Sequence, residues 1–188
     1  MEILTKDEVM LRKEEIIARI KNGAVFIYPT DTIYGIGCSA QNGRSVQKIR
    51  RIKQRPDSPF SIWAPSKGWI NKHCSLTSKA KGWIEKLPGH YTLIMSLKDK
   101  NAVVTEVNPG AKTIGIRMPD HWFHVIVEKA AIPIVTTSAN VSGQPFMTSL
   151  EDLQEEVKFQ VDFIIYEGPK QGRPSKIIKI EEEKMVER

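Results

Sequence analysis

The sequence has 188 residues, of which 40% are hydrophobic and 27% are charged. This composition is typical of a folded globular protein, and no apolar run approaches the roughly 20 residues that a membrane span needs. The formal net charge of +6 favours anionic partners such as nucleotides, RNA or phosphates. The acidic, amphipathic N-terminus does not resemble a signal peptide, and Cys38 and Cys74 lack the spacing of a metal or redox pair, so we expect reduced thiols and a cytoplasmic protein.

Helical and extended patterns alternate along the chain. A capping-box signature at Thr5 and Glu8 begins a helix that Asn22-Gly23 can end, and residues 24–28 form a short buried strand that leads into a polar turn. Further helices are predicted over 44–53, 67–73, 78–86, 120–130 and from residue 149, and further strands over 60–64, 92–97, 113–118, 134–136, 162–166 and 177–180. This alternation predicts one α/β domain with a mixed sheet over residues 1–188, with 181–188 as a frayed tail.

Three familiar kinds of site are excluded or disfavoured. Residues 35–40 match G-x-G-x-x-A, but six residues separate the glycines from the strand and no helix begins within them, so the dinucleotide fingerprint is rejected. The chain contains no P-loop motif. His121 and His124 are spaced for one helix face but have no paired acidic or cysteine ligand, so no metal site is predicted.

Polar segments follow several of the predicted strands and one helix. Lys53 and Arg55 lie at a helix end beside Pro56, outside the apolar pattern, where two fixed cations can grip a phosphate or carboxylate without being needed for folding. Arg117 ends an apolar strand, which is typical of an ion pair or an anion site. The segment 136–143 offers hydroxyl and amide donors, and 172–175 repeats the theme. Lys48 and Arg50, by contrast, are interpreted as a solvated helix face.

Five segments in a fixed order carry a family resemblance. They are Pro29-Thr30-Asp31-Thr32-x-Tyr34-Gly35, Lys53-x-Arg55-Pro56, Pro88-Gly89-x-x-Thr92, Gly115-x-Arg117-x-Pro119 and Thr137-Ser138-Ala139-Asn140-x-Ser142-Gly143. Together they resemble the YrdC family, the catalytic domain of threonylcarbamoyl-AMP synthase, in its single-domain form. The resemblance implies a twisted open mixed sheet flanked by helices, with a large electropositive cavity.

The resemblance also implies a reaction and its site. ATP, L-threonine and bicarbonate give threonylcarbamoyl-AMP and pyrophosphate, with Mg²⁺ accompanying ATP and no organic cofactor. A tRNA threonylcarbamoyl transferase then moves the group to an adenosine of tRNA. The residues implied for L-threonine are Thr32, Arg117 and Ser175, with Arg117 pairing with the carboxylate. The residues implied for ATP are Lys53, Arg55, Thr113, Ser138 and Asn140, of which Lys53 and Arg55 are also implied as catalytic.

Departures from the family pattern keep alternatives open. Trp63 stands where many members have a histidine near the threonine site, His90 replaces a proline, and Ser175-Lys176-Ile177 replaces Ser-Thr-Val. A YciO-like paralogue is one alternative. Another is a non-catalytic module that binds double-stranded RNA, tRNA or a nucleotide through the basic helix 44–55. Asn140 has its own alternative, in which its amide bonds the backbone of its turn.

Overall fold

The computed structural model of the protein describes residues 1–182 and 184–186. The α-helices are α1 (Lys6–Leu11), α2 (Lys13–Lys21), α3 (Gly43–Ile52), α4 (Lys67–His73), α5 (Ser78–Glu85), α6 (His124–Ala130) and α7 (Glu155–Lys158), with short 3₁₀ helices at Thr105–Val107 and Leu150–Asp152. The strands are β1 (Glu2–Leu4), β2 (Phe26–Pro29), β3 (Tyr34–Gly37), β4 (Ser61–Trp63), β5 (Tyr91–Ser96), β6 (Thr113–Arg117), β7 (Ile134–Ser138), β8 (Phe163–Ile165), β9 (Lys176–Lys179) and β10 (Lys184–Val186).

These strands form one mixed sheet in the order β1-β8-β2-β3-β7-β4-β6-β5-β9-β10. The pairs β1–β8, β2–β8, β4–β6 and β5–β9 are parallel, and the other neighbours are antiparallel. The predicted α/β architecture with a mixed sheet flanked by helices is confirmed. No helix in the part of the chain that the structure describes is long and apolar enough to cross a membrane.

Helices cover both faces of the sheet. Successive strand residues point to opposite sides, so an apolar strand presents apolar side chains to the helices on each face. Phe26 and Tyr28 of β2 pack in one buried cluster with side chains of α1, α2 and α6, including Ile126. Ile27, between them in the chain, packs in a second cluster with α3, α4 and α5, including Val46. The apolar run of β2 is therefore buried on both faces, as its sequence predicts.

The N-terminal region differs from the prediction in two ways. Residues 2–4 form β1, which pairs in parallel with β8. This strand was not predicted because three residues are too few to show a strand pattern. The single predicted helix is divided into α1 and α2 at Arg12, whose φ of −100° and ψ of 25° are not helical. The capping box at Thr5 is present as predicted.

The strand β3 was predicted as part of a loop. It pairs antiparallel with β2 on one side and with β7 on the other. Two of its four residues are glycines, which weaken a strand pattern. At Gly37 a Cβ would collide with the carbonyl oxygen of Val135, so glycine is what lets β3 and β7 approach closely.

The C-terminal third also contains corrections. The helix predicted from Ser149 is a 3₁₀ turn followed by the short α7, and the helix predicted over 120–130 begins at His124. The prediction of a frayed tail over 181–188 is wrong for Lys184–Val186, which pair with β9. Glu183, Glu187 and Arg188 lie outside the described residues.

Two half-buried histidines are expected to make folding sensitive to acid. His124 accepts a hydrogen bond from the indole N–H of Trp63 at 2.9 Å, and burial lowers the pKa of His124 below 6.5. Burial also lowers the pKa of His121, although Glu167 opposes this effect. The folded state therefore binds fewer protons than the unfolded state, so stability is present above pH 6.5 and is lost as the pH falls through 6.5 toward the folded pKa.

We therefore expect the melting temperature to fall by several degrees between pH 7.5 and pH 5.5. The matched variant His124→Gln keeps a hydrogen-bond acceptor for Trp63 but cannot titrate, so its melting temperature should fall less over the same interval. Melting curves that move equally in both proteins would contradict a role for His124.

Candidate active site

The turn between β2 and β3 is organised by the hydroxyl of Thr30. This oxygen accepts from the backbone N–H groups of Thr32 and Ile33, at 3.1 and 3.3 Å, and donates to the carbonyl of Ile33 at 2.7 Å. The hydroxyls of Thr30 and Thr32 lie 2.9 Å apart, and either oxygen can be the donor in this contact. The Thr32 hydroxyl retains lone pairs that can accept from other donors.

A cavity of about 320 Å³, here called the hydroxyl cavity, opens beside this turn. Its polar side chains are hydroxyls, with Arg117 as the one charged group among the described residues that line it. The lining hydroxyl residues are Thr30, Thr32, Ser61, Thr92, Thr136, Thr137, Ser138 and Ser175. Apolar parts of the wall come from Ile33, Tyr34, Phe146 and Pro174. Such a cavity suits a small ligand that carries one anionic group and several hydrogen-bonding atoms.

The three residues implied for threonine meet in this cavity. Thr32 lies in the turn after β2, Arg117 is the last residue of β6, and Ser175 directly precedes β9. The hydroxyl of Ser175 lies 2.7 Å from that of Thr92, and both residues are buried. Three distant parts of the chain are thus brought to one ligand-sized space.

Arg117 is held by an ion pair that the sequence did not reveal. Its Nη2 donates to Oδ1 of Asp31 at 2.9 Å and to the Thr32 hydroxyl at 3.4 Å. The side chains of Arg117 and Asp31 are only 9% and 3% exposed. Burial lowers the pKa of Arg117, but the Asp31 carboxylate opposes this effect, so the guanidinium stays charged.

A second cavity of about 400 Å³, here called the cationic cavity, adjoins the first. It is lined by Lys53, Arg55, Asn140 and Ser142, together with Gln54, Pro56, Ser58 and Gly143. Ser138 lines both cavities. Four of the five residues implied for ATP therefore surround one space, and one of them, Ser138, also lines the hydroxyl cavity.

Lys53 is buried, although the sequence placed it at an accessible helix end. The residue is 2% exposed, and its Nζ donates to the carbonyl oxygens of Ser138 and Asn140 at 2.6 and 2.7 Å. Its own carbonyl accepts from the N–H of Ser142 at 3.0 Å. This side chain therefore holds the loop after β7, and these contacts oppose the prediction that the fold does not need Lys53.

Arg50 also departs from its predicted place on a solvated face. Its guanidinium donates to the carbonyls of Arg55, Pro56 and Ser58, at 3.0, 2.8 and 3.1 Å, and so fixes the segment after α3. Arg55 itself donates to the carbonyl of Pro59 at 2.8 Å, and it is half-buried beside the cationic cavity. Its guanidinium is the more accessible of the two charges in that cavity.

The amide of Asn140 bonds its own loop in this structure. Its Nδ2 donates to the carbonyls of Val141 and Gln144 at 2.9 and 2.7 Å. Its Oδ1 lies 3.4 Å from Nζ of Lys53. The alternative interpretation of Asn140 as a turn-stabilising residue thus has direct structural support, while its contact with ATP stays a prediction.

Thr113 is the residue of the predicted set that lies apart. It shares a face of β6 with Arg117, but it is four residues back along the strand, about 13 Å away. It does not line either cavity. Its predicted contact with ATP has no counterpart in the geometry of the two cavities.

Trp63 lies in the core beyond the hydroxyl cavity. It shares a face of β4 with Ser61, which lines that cavity, but its ring packs among Tyr28, Phe123 and His124. The position where the resemblance implies a histidine in many members is therefore occupied here by a buried aromatic group. His90 is 65% exposed, and its Nε2 lies 3.8 Å from Oδ2 of Asp31.

The two cysteines are buried and do not line either cavity. Burial raises the pKa of Cys38, and it raises the pKa of Cys74 to about 11. Neither thiol is activated as a nucleophile, which agrees with the interpretation of Cys38 as a core residue.

A family model decides the relationship of this chain to known proteins. The Sua5/YciO/YrdC model, described as telomere recombination, matches residues 18–187. The chain belongs to the Sua5/YciO/YrdC family. The resemblance seen in the sequence motifs is confirmed.

This chain is similar to proteins named as threonylcarbamoyl-AMP synthases. A protein of Methanocaldococcus jannaschii, provisionally named as a threonylcarbamoyl-AMP synthase, is 38% identical over 97% of this chain and 87% of its own length. The threonylcarbamoyl-AMP synthase of Bacillus subtilis is 33% identical over 85% of this chain, which spans 44% of that protein. The structure of P. abyssi Sua5 complexed with L-threonine superposes with a TM-score of 0.86 at 25% identity, over 99% of this chain and 56% of that chain.

Several cavity residues of this family member were missed by sequence reasoning. Ser61 lies within a strand, where a small polar residue gives no signal of its own. Phe146 reads as an ordinary apolar residue in a loop. Asp31 stands inside the first motif, but its partner Arg117 is 86 residues away, so the ion pair could not be predicted.

The burial of Lys53 gives a stability prediction. Lys53→Met keeps most of the side-chain stem but removes the ammonium donor to the carbonyl of Asn140 and one of two donors to the carbonyl of Ser138, so the free energy of unfolding should fall by about 1–3 kcal/mol. Lys48→Met is the matched control on the same helix. Lys48 makes only a surface ion pair with Asp162, so the loss should stay within about 1 kcal/mol. Urea unfolding measures both, and equal losses would contradict the role of Lys53.

Proposed function

We propose that this protein is an L-threonylcarbamoyladenylate synthase, which forms threonylcarbamoyl-AMP and pyrophosphate from ATP, L-threonine and bicarbonate. The observation that carries the proposal is that two cavities of different character share the wall residue Ser138. One cavity contains a single buried arginine among hydroxyls, and the other contains Lys53 and Arg55. An amino acid and a nucleoside triphosphate are two anionic substrates that such a pair of cavities can hold next to each other.

The hydroxyl cavity is the proposed threonine site. Arg117 pairs with the substrate carboxylate, because a guanidinium binds a carboxylate through charge-assisted hydrogen bonds. Thr32 presents acceptor lone pairs, which suit the amine or the hydroxyl of threonine. Ser175 and Thr92 form a hydroxyl pair that can either donate or accept. The L-threonine named with P. abyssi Sua5 supports the choice of substrate.

The cationic cavity is the proposed site for the triphosphate. Arg55 faces the phosphates directly, and Lys53 contributes its charge from beneath the loop that it holds. Ser138 and the 140–143 loop supply neutral donors. We retain Asn140 in this set on the basis of family resemblance, with the condition that its amide leaves its present partners when ATP binds. The same reasoning applies to Thr113, which would need the nucleotide to extend along β6.

The proposed chemistry needs positioning and positive charge. The threonine amine adds to carbon dioxide and loses a proton, or condenses with bicarbonate and releases water, giving a carbamate in either case. One carbamate oxygen then attacks the α-phosphorus of ATP, the bond to the β-phosphate oxygen breaks, and pyrophosphate leaves. No covalent enzyme intermediate is required. The protein brings two anions together against their repulsion and stabilises charge on the phosphoryl group in flight.

Magnesium is proposed to enter with ATP. Among residues 1–182 and 184–186, no group of three or more histidine, cysteine or carboxylate side chains could hold a metal ion. The cationic cavity contains hydroxyls, amides and cations, which fit phosphate oxygens and not a bare metal. The ion would therefore be carried by the triphosphate, where it offsets the phosphate charge.

A role in the threonylcarbamoyladenosine modification of tRNA follows from the product. Threonylcarbamoyl-AMP is a mixed anhydride, so it requires a downstream transferase that accepts an activated acyl group. Direct binding of tRNA or double-stranded RNA through α3 is a separate proposal. Its salt dependence would distinguish it, since phosphate contacts weaken steeply as ionic strength rises.

Pyrophosphate release tests the proposed function. The purified protein should release pyrophosphate from ATP only when threonine and bicarbonate are both present. Threonylcarbamoyl-AMP should be identified by mass spectrometry. A non-catalytic RNA-binding protein would release none.

Arg117→Ala tests the proposed threonine site. Loss of one charge-assisted hydrogen-bond partner, about 1.5–3 kcal/mol, should raise the KM for threonine by about ten- to hundredfold. The KM for ATP should change much less, because Arg117 does not line the cationic cavity. An unaltered KM for threonine would contradict the assignment of Arg117.

A further inference from the structure

We propose that Asp31 is a positioning residue for threonine recognition, which orients the guanidinium of Arg117 toward the hydroxyl cavity. This inference rests on the proposed function, because threonine is the ligand that Arg117 would meet. The family motif marks Asp31 as part of a turn but does not say what the carboxylate does.

The location of Asp31 shows that it acts through Arg117. Arg117 lines the hydroxyl cavity, whereas Asp31 does not. The two side chains are in contact, with 2.9 Å between Nη2 of Arg117 and Oδ1 of Asp31. Asp31 therefore contacts a residue of the cavity wall without itself being part of that wall.

Asp31 is itself fixed on both sides. It stands in the turn that the Thr30 hydroxyl organises through two backbone N–H groups. Its second oxygen, Oδ2, accepts from the backbone N–H of Asp120 at 3.3 Å and lies 3.8 Å from Nε2 of His90. The carboxylate thus joins the turn after β2 to the segment after β6, and it holds Arg117 at a set position between them.

The donors of Arg117 indicate which part of the group is reserved for a ligand. Nη2 is occupied by Asp31 and Thr32. Nε is buried and has no hydrogen-bond partner among the residues that the structure describes. A buried N–H without an acceptor is unfavourable, and a carboxylate oxygen would relieve that cost if the guanidinium shifted toward the cavity when the ligand binds. Anchoring Nη2 fixes the rotation of the planar group and therefore the direction of its remaining N–H bonds.

The negative charge of Asp31 also opposes threonine binding, and this second effect makes the proposal testable. A carboxylate behind the guanidinium weakens the attraction of the site for a second carboxylate. Asp31 therefore aids threonine binding only while Arg117 stands in front of it. Once Arg117 is removed, the same carboxylate repels the substrate, so the sign of its effect reverses.

The first measurement is the kinetics of Asp31→Asn. The amide has the shape of the carboxylate, but it loses the charge and brings an N–H₂ group against donors of Arg117 or Asp120. We expect the KM for threonine to rise by about tenfold or more, as for loss of a hydrogen bond to a charged group. The kcat at saturating threonine should change by less than about threefold, and the KM for ATP should stay unchanged, because only threonine binding is affected.

The second measurement repeats the change in an Arg117→Ala background. There, Asp31→Asn should leave the KM for threonine unchanged or lower it, because the repulsive carboxylate has gone. A double-mutant cycle expresses this coupling. If Asp31→Asn raises the KM by the same factor in both backgrounds, Asp31 does not act through Arg117 and the proposal is overturned.

Asp162→Asn is the matched control. Its carboxylate also accepts a backbone N–H, from Val25 at 2.7 Å, but Val25 lies at the opposite end of β2 from the cavity. The KM for threonine should be unaltered in this variant. An increase equal to that of Asp31→Asn would mean that loss of any such carboxylate suffices, and would overturn the proposal.

Three further outcomes are decisive. An unchanged KM for threonine in Asp31→Asn, in an active wild-type background, overturns this inference alone. Loss of cooperative melting in both Asp31→Asn and Asp31→Ala would make Asp31 a requirement of the fold and would also overturn it. A wild-type protein that releases no pyrophosphate would overturn the proposed function and, with it, this inference.

Discussion

The wall between the two cavities depends on the hydrogen bonds that the ammonium group of Lys53 donates to the loop after β7. A buried charge is costly unless polar groups surround it, and here the carbonyls of Ser138 and Asn140 do so. The backbone of Lys53 adds a bond from Ser142, so the end of α3 and the loop after β7 are locked together. A loop with this composition would otherwise be free to adopt many turns. Lys53 therefore shapes the cationic cavity as well as charging it.

The sheet places the second half of the site. The register pairs Gly35 with Ser138 and Ser61 with Thr136, and it sets Trp63 beside Arg117. Hydroxyl groups from several strands consequently meet at one end of the sheet. A hydroxyl both donates and accepts hydrogen bonds, so these groups can bind the substrate as an amine and also after the amine has become a carbamate. A wall of carboxylates would repel the same intermediate, and a wall of cations would hold it too tightly to react.

The sequence allowed us to predict the architecture and most of the residues that line the two cavities. It did not allow us to predict the hydrogen bonds that hold those residues in place. The mixed sheet followed from alternating apolar patterns, and the threonine set of Thr32, Arg117 and Ser175 does meet in one cavity. The burial of Lys53 could not be predicted, because a lysine after a helix is usually solvated and its partners lie 85 and 87 residues away. The pairing of Trp63 with His124 is equally long-range, at 61 residues. Local patterns thus identify the segments, whereas the choice of partners depends on the tertiary fold.

The distribution of charge fits a reaction between two anions. Under the proposed function, Arg117 binds the carboxylate of threonine at one side and Arg55 faces the phosphates at the other, with the neutral Ser138 where the cavities meet. Each anion then has its own cation, so neither substrate must displace the other to be bound. The Asp31 carboxylate is paired with Arg117 and does not line the hydroxyl cavity, so its negative charge is partly offset by the guanidinium. The attacking oxygen and the α-phosphorus can then approach across hydroxyl groups, with the positive charge at either side to stabilise the transition state.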